Sequence, residues 1–390
     1  MKNRKLSIWA FFPSGPKLTG QELASRMILD VLRADVDLDF RVVRLPAFDR
    51  DRKLSPGHWL HFAATVLASG FRMILAAFDR GSVTYLNLGQ GTKSLIVEGL
   101  PHAIASLLRP GRRSVVSLHG HFFMKWSPAS MKAALLRMTL ACASRVTVLG
   151  ESQKEKLIEW GIPAEKIRVV DNTCEEFIED LPEEKIPHDA VNLLYLGNLI
   201  EVKGYREYLE ALLLLGGMGL NRKVNATLCG QIYKTSLDKH TNPEDLSGWT
   251  DDIIGKINRL DIIKVDWIQG AYGERKAQLF GEADIFVYPT HEDAQPIVLI
   301  EAMAAGCAVI ASDVGEIPSM LAGGGGESLS DCSARSLANS IKNLVNDPQA
   351  LKDKQKKARK LFKVKYSRQI YADTWREIFQ ELSTSADKGV

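Results

Sequence analysis

The stretch from Tyr288 to Pro318, YPTHEDAQPIVLIEAMAAGCAVIASDVGEIP, decides the fold. The apolar run Ile285, Phe286 and Val287 leads into it and reads as a strand that ends in a proline-containing loop. That loop carries Glu292, Asp293 and Gln295. A helix is predicted from Pro296 to Ala305 with Glu301 inside it. Gly306 stops the helix, and a second strand, Ala308 to Ala311, runs on to Asp313 and Gly315. Strand, loop, helix and strand in that order put the polar groups at the carboxyl end of a strand, where open α/β sheets bind ligands. The helix start adds free N–H groups and partial positive charge, which suit a phosphate. Asp293 and Glu301 lie 301 − 293 = 8 residues apart. One carboxylate therefore sits in the loop and the other about two turns into the helix.

Outward from this unit, strand and helix patterns alternate along most of the chain. Strands are predicted at Leu6–Phe12, Phe40–Leu45, Val83–Leu88, Ser114–Leu118, Arg145–Leu149 and Ile167–Val170. A second series follows at Asn192–Leu196, Val224–Cys229, Ile263–Ile268, Ile285–Tyr288 and Ala308–Ala311. Between Leu6–Phe12 and Phe40–Leu45, Gly20–Arg33 has helical spacing through Leu23, Met27, Ile28 and Val31. Such alternation implies parallel sheets covered by helices. The charged segment 179–191, with Pro182 and Pro187, reads as an interdomain linker. The expected division is 1–183 and 184–366. An amphipathic final helix, about Ser367 to Leu382, carries Tyr371, Trp375, Ile378 and Phe379, and the tail from Ser383 is expected to be disordered.

Composition narrows the class. With 45% apolar and 25% charged residues the chain reads as an ordinary globular protein, and a net charge of +3 gives no argument for nucleic acid. The 5 cysteines form no C-x-x-C pair and are odd in number, which argues against a disulfide framework and for a reducing compartment. Cys142, Cys229 and Cys307 lie in apolar runs and are expected in the core. The basic N-terminus runs straight into a strand-like segment rather than a signal peptide, and no uninterrupted apolar stretch reads as long enough to span a bilayer. A cytoplasmic protein is expected, free or resting on the inner face of a membrane.

The run Asp293-Ala-Gln-Pro-Ile-Val-Leu-Ile-Glu301-Ala-Met-Ala-Ala-Gly306 resembles the signature of the retaining GT-B glycosyltransferases of family 4. That signature is an acidic residue, seven others, then Glu and usually Ala-Met-Ala-x-Gly. The first acid is usually Glu and is Asp here, and Ala294 stands where Gly is usual. A second run, Gly197-Asn198-Leu-Ile-Glu-Val-Lys203-Gly204, resembles the family's Gly-Arg-Leu, three residues, Lys-Gly. Asn198 stands in place of the arginine. The resemblance implies an α/β GT-B fold, two doubly wound Rossmann-like domains facing a cleft, with the last helix crossing back onto the first domain. It implies that Gly197, Asn198, Lys203 and Glu301 bind the donor, Glu301 through the ribose hydroxyls, and that the Ile297 and Val298 N–H groups meet the diphosphate. Gln295 is placed to donate to the sugar. His119 and Asp293 are expected to orient the transferred sugar, and Lys203 to meet the charge that develops on the diphosphate.

Matches in the first half are sparser. Gly20, in Thr19-Gly20-Gln21, stands where the family places a glycine near the donor phosphate. His119 matches a histidine at the end of a strand, and His121 is a candidate on the acceptor side. Glu151-Ser152 and Asn172-Thr173 occupy two further family loops. No resident cofactor or metal is expected: Asp35-Val-Asp37-Leu-Asp39 precedes a strand and reads as a solvated turn, and no His/Cys/carboxylate set has metal spacing. The implied substrates are a nucleotide sugar, UDP preferred over GDP, and a glycan or polyprenyl-linked saccharide, giving a metal-independent retaining hexosyltransferase of surface polysaccharide assembly. The apolar segment His58 to Phe78, with Arg72 and Arg80, suits peripheral membrane contact. The departures at Asn198 and Asp293 keep open a non-catalytic GT-B subunit supporting a partner enzyme, and a nucleotide-sugar epimerase is the other alternative.

Overall fold

The computed structural model describes all residues except 1–4, 15–19, 34, 36, 47–55, 186–187, 234–242 and 385–390. The chain forms two compact units, 1–172 with 369–390, and 173–368. The first contains strands β1 (Leu6–Ser14), β2 (Leu38–Pro46), β3 (Ser82–Asn87), β4 (Ser114–Ser117), β5 (Arg145–Val148) and β6 (Ile167–Val169). The second contains β7 (Val191–Leu196), β8 (Val224–Cys229), β9 (Ile263–Ile268), β10 (Ile285–Tyr288), β11 (Ala308–Ser312) and β12 (Gly326–Leu329). Each unit holds one parallel sheet, in the orders β2-β1-β3-β4-β5-β6 and β12-β11-β10-β7-β8-β9. Both orders are doubly wound: successive strands step one way from β7 through β9, then the other way from β10 through β12.

The central strands are apolar because both faces are covered. All residues of β10 and β11 are buried, as are those of β3 and β4. In the first unit the final helix, Arg368–Thr384, completes the core. Its Tyr371, Trp375, Ile378, Phe379 and Leu382 lie on one face and pack with Ile8, Val83 and Tyr85. The Trp375 ring meets Tyr85 edge-on with centroids 5.3 Å apart and stacks on Phe379 at 5.6 Å. Glu381 fixes the helix end by accepting from Arg145 and Arg168.

Several details depart from the sequence reading. The units divide at Asn172/Thr173 rather than at 183/184, because Cys174 and Ile178 belong to the second unit's core. The short helix Glu176–Glu179 packs against the helices Gly273–Glu282 and Ile297–Ala304. Part of the linker, 186–187, lies outside the described residues. The strand β12 was not expected: GESL is an edge strand, so it needs no apolar run. Ser383 and Thr384 are helical, and the rest of the tail lies outside the described residues. Asp35 is not a solvated turn residue. Its carboxylate pairs with Arg376 at 2.6 Å and caps the Asp37 N–H. Cys142 is half-buried, whereas Cys174, Cys229 and Cys307 are buried, and all five thiols are free.

The segment read as apolar surface is the helix Pro56–Phe78. Within it Leu60–Phe78 is, by length and mean hydropathy, apolar enough to cross a membrane, which corrects the expectation that no segment is. It packs on the helix Leu100–Leu108 through one side, burying Ser69, Met73, Ala76 and Ala77. The other side leaves Leu60, Leu67, Phe71, Leu75 and Phe78 exposed.

Truncating Trp375 to Ala should cost about 3–5 kcal/mol of unfolding free energy, because the cavity opens between the final helix and β3. Urea denaturation followed by tryptophan fluorescence measures it, and a loss under about 1 kcal/mol would show that this helix is not part of the core.

Candidate functional site

In the second unit, β7 and β10 are neighbours from which later strands depart in opposite directions. This is the switch point at which doubly wound sheets leave a crevice beyond their carboxyl ends. The loops after these two strands carry the candidate residues. They are stitched together by backbone bonds, with the His291 N–H donating to Val202 O at 2.8 Å and the Thr290 hydroxyl to the same oxygen at 3.2 Å.

Two glycines permit close approach to the loop after β10, one from the loop after β7 and one from the loop after β11. Gly204 has φ +73, and a Cβ there would lie 2.0 Å from Pro289 O. Gly315 has φ +57, and a Cβ there would lie 2.3 Å from Asp293 O. Any side chain would push the loops apart. Gly197 differs: a Cβ there meets only ordinary contacts with Tyr288 and Tyr195, so the protein itself does not demand the glycine.

Lys203 ends a single turn of 3-10 helix, Glu201–Lys203, and its carbonyl accepts from Tyr195 OH at 3.1 Å. Its ammonium donates to Asp293 Oδ2 at 2.5 Å and to Glu292 O at 3.0 Å. Tyr288 OH donates to the same Asp293 oxygen at 2.9 Å. Asp293 thus spends one oxygen on Lys203 and Tyr288 and the other on its neighbour's N–H, Ala294. The pair is mostly buried, with 22% and 18% side-chain exposure, so it is screened less than a surface bridge. Asn198 is exposed and brings no charge. The loop's one cation at this point is already neutralised.

The helix Ile297–Ala304 begins after Pro296. The Leu299 N–H turns back to Pro296 O at 3.1 Å, which leaves the Ile297 and Val298 N–H groups ahead of the helical ladder. Gln295 is buried beside them.

Glu301, one turn further on, is fully buried. Its Oε1 accepts from Lys276 Nζ at 2.6 Å, while Oε2 is buried without a hydrogen-bond partner. Lys276 also donates to Glu175 at 2.5 Å. Burial raises the Glu301 carboxyl above its ordinary range against the opposing pull of Lys276. Burial would lower Lys276, but Glu301 and Glu175 outweigh it and the ammonium is raised. Lys276 therefore stays charged at neutral pH, and one Glu301 oxygen is left facing no partner.

In the first unit the residues gather at the carboxyl ends of β1, β3 and β4. Gln21 donates to Asn87 Oδ1 at 2.9 Å, and Asn87 donates to Ser25 Oγ at 2.6 Å. Gly20 opens the helix Gly20–Leu32 with open space where a Cβ would stand; Thr19 lies outside the described residues. The His119 ring nitrogens are buried, and burial lowers its pKa to about 4 against the opposing effect of Asn172, so the imidazole is neutral at pH 7. His121 stacks on Phe122. Glu151 is exposed and pairs with Lys154.

Residues 176–361 match the family described as "Glycosyl transferases group 1", and residues 26–173 match the "Glycosyl transferase 4-like domain". The chain belongs to the glycosyl transferases group 1. Over 250 residues it is 23% identical to the capsular polysaccharide biosynthesis glycosyltransferase CapM of Staphylococcus aureus, covering 64% of this chain and 58% of that protein. Among solved structures, Anabaena Alr3699/HepE in complex with UDP superposes with a TM-score of 0.67 at 16% identity, over 96% of this chain and 99% of that one. A glycosyltransferase from Rickettsia africae gives 0.70 at 15% identity, over 97% and 98%. These likenesses establish the GT-B fold.

Within the second unit Lys203 and Asp293 meet in the loops after β7 and β10, Gly197 follows β7, and Gln295, Ile297 and Val298 stand at the helix start, while Glu301 is buried one turn on against Lys276 and Asn198 is exposed. His119, His121 and Gly20 lie on the first unit. Sequence reasoning missed Lys276, Glu175 and Tyr288. A signal for Lys276 existed: it falls on the stripe Lys276, Leu279, Phe280 of the helix Gly273–Glu282, at a spacing where a buried apolar residue is expected. It also missed Glu98, buried behind β3, which accepts from the Gly89 N–H at 2.9 Å and is raised to about 7 by burial. Among the described residues no group of three or more His, Cys, Asp or Glu is placed to hold a metal.

Replacing Lys276 with Met should destabilise the protein by about 3–5 kcal/mol, because it strands a buried carboxylate, and adding Glu301→Gln should restore most of the loss. Additive losses in the double variant, measured by chemical denaturation, would show that the two groups do not act as a pair.

Proposed function

We propose that this protein is a retaining glycosyltransferase. It moves a hexose from a nucleotide diphosphate sugar, UDP preferred over GDP, onto a glycan acceptor, polyprenyl-linked, in surface polysaccharide assembly. The observation that carries the reading is Glu301: one oxygen held by Lys276, the other buried and unpaired. A buried acceptor without a donor is costly, and a vicinal diol supplies the hydroxyls that would satisfy it. Ribose is such a diol. The relatives agree in kind, since HepE was solved with UDP and CapM is named for capsular polysaccharide.

In this reading the nucleoside rests against Glu301 and the diphosphate reaches the Ile297 and Val298 N–H groups at the helix start. Lys203 swings from Asp293 to the diphosphate, and Asp293 is released toward the sugar hydroxyls. Gln295 donates to the sugar, and neutral His119 offers a hydrogen bond rather than a charge. The bond between the anomeric carbon and the diphosphate oxygen breaks. The acceptor hydroxyl forms its bond on the same face and passes its proton to that departing oxygen, so configuration is retained. Charge on the leaving group is met by Lys203 and the helix N-terminus, without a metal. The exposed face of the helix Pro56–Phe78 rests on the inner surface of a membrane.

A second reading has a specific observation behind it. Lys203 is neutralised by Asp293, and Asn198 offers no second cation, which suits a non-catalytic subunit that holds a sugar nucleotide weakly. Introducing Asn198→Arg separates the two, since only a degenerate site should gain strongly in UDP affinity.

Glu301→Ala should lower donor kcat/KM on the order of a hundredfold or more, through loss of the hydroxyl contacts and of the partner of Lys276. Lys203→Ala should lower kcat more than it weakens UDP binding. Near-normal turnover in a folded Glu301→Ala variant would overturn the assignment.

A further inference from the structure

At the amino edge of the first sheet, opposite the edge that carries His119, lies a cavity of about 690 Å³. Its walls come from the turns that feed β3, β4 and β5, and they carry Arg80, Arg109, Arg112, Arg113 and Arg145. Among the described residues only Arg145 of these has a carboxylate partner, Glu381. The lone acid of the lining, Asp79, is engaged by Arg41 and by the Trp9 indole. Arg109 and Arg113 spend donors on the carbonyls of Ala77 and Leu382, which leaves their charges uncompensated. Arg112 is 7% exposed, donates its Nε to Ser106 Oγ, and has neither terminal nitrogen paired. Buried guanidinium groups are ordinarily paired, so this cluster lacks an anion. Planar guanidinium forks converging on one cavity select phosphate.

The cavity's surroundings name the carrier. Phe78, exposed, precedes Asp79 at one wall, and exposed Leu107 and Leu108 precede Arg109 at another. The helix Pro56–Phe78 runs from the end of β2 back to the start of β3, so its exposed apolar face reaches from the carboxyl edge of the sheet to this cavity. We propose that the arginine cavity binds the phosphate of an anionic phospholipid headgroup while that apolar face lies in the surrounding lipid interface. Basic groups beside an apolar stripe bind anionic bilayers in this way. This inference rests on the membrane contact proposed above and is independent of the donor site.

The test uses the full chain, with Arg80→Ala/Arg109→Ala on the rim, the first exposed and the second half-buried, and Arg112→Met in the floor. Thermal melts with inorganic phosphate, against chloride at equal ionic strength, read the anion. Sedimentation with phosphatidylglycerol or phosphatidylcholine vesicles reads the headgroup. Expected are stabilisation of the wild type by phosphate, absent in the variants, and binding to phosphatidylglycerol vesicles that falls on the order of tenfold in the rim variant. Equal vesicle binding by wild type and rim variant would overturn the cavity while sparing the membrane contact. No binding of the wild type to anionic vesicles would overturn both, and phosphate stabilisation without vesicle binding would assign the cavity to a free anion instead. Stabilisation by UDP should be the same in wild type and rim variant, so failure here is distinguishable from failure of the donor site. Should Arg112→Met not fold, the rim variant alone decides.

Discussion

A carboxylate sealed inside a helix interface is the constraint around which the second unit is arranged. Glu301 has no solvent access, and its charge is tolerated because Lys276 crosses from the neighbouring helix to meet it. Lys276 in turn is steadied by Glu175, so the segment that enters the second unit is tied to the helix following β10. Removing either partner leaves a buried charge, whereas removing both does not. The arrangement satisfies one oxygen of Glu301 and leaves the other buried without a partner, the feature on which the proposed ribose contact rests.

The loops at the switch point obey a different constraint, that of close backbone approach. Gly204 lets the loops after β7 and β10 touch, and that contact carries Lys203 to Asp293, while Gly315 lets the loop after β11 close on the same β10 loop. The loss of the usual arginine at Asn198 and the shortening of the usual Glu to Asp293 then belong together. With one cation fewer, one carboxylate close at hand balances the loop in the absence of substrate. In the proposed reading a diphosphate would take the place of Asp293 on Lys203, so that the donor itself would free Asp293.

Much of this was legible in the sequence. The β10 strand, its helix and β11 announce themselves through apolar runs bounded by Pro289, Pro296 and Gly306, and the parallel, helix-covered sheets follow from alternation. Lys203, Asp293 and Glu301 were singled out through spacing and family resemblance, and of these the structure puts Lys203 against Asp293. What was not legible depends on contacts between distant segments. Asp35 looks solvated until Arg376, far along the chain, folds over it. Lys276 looks like a surface lysine until its helix turns that face inward. The division at Asn172 also escaped notice, because prolines mark flexible chain while core membership, here that of Cys174 and Ile178, marks a domain edge.

The measurement that bears most directly on the account is a donor panel. The purified protein is mixed with UDP-glucose, UDP-galactose, UDP-N-acetylglucosamine and GDP-mannose in the presence of chelator, and thermal stabilisation and slow nucleotide release are followed together. The account predicts stabilisation by a UDP-sugar, with nucleotide release persisting in chelator and both effects lost in Glu301→Ala. Stabilisation that is equal in wild type and Glu301→Ala, or no response to any donor, would contradict it.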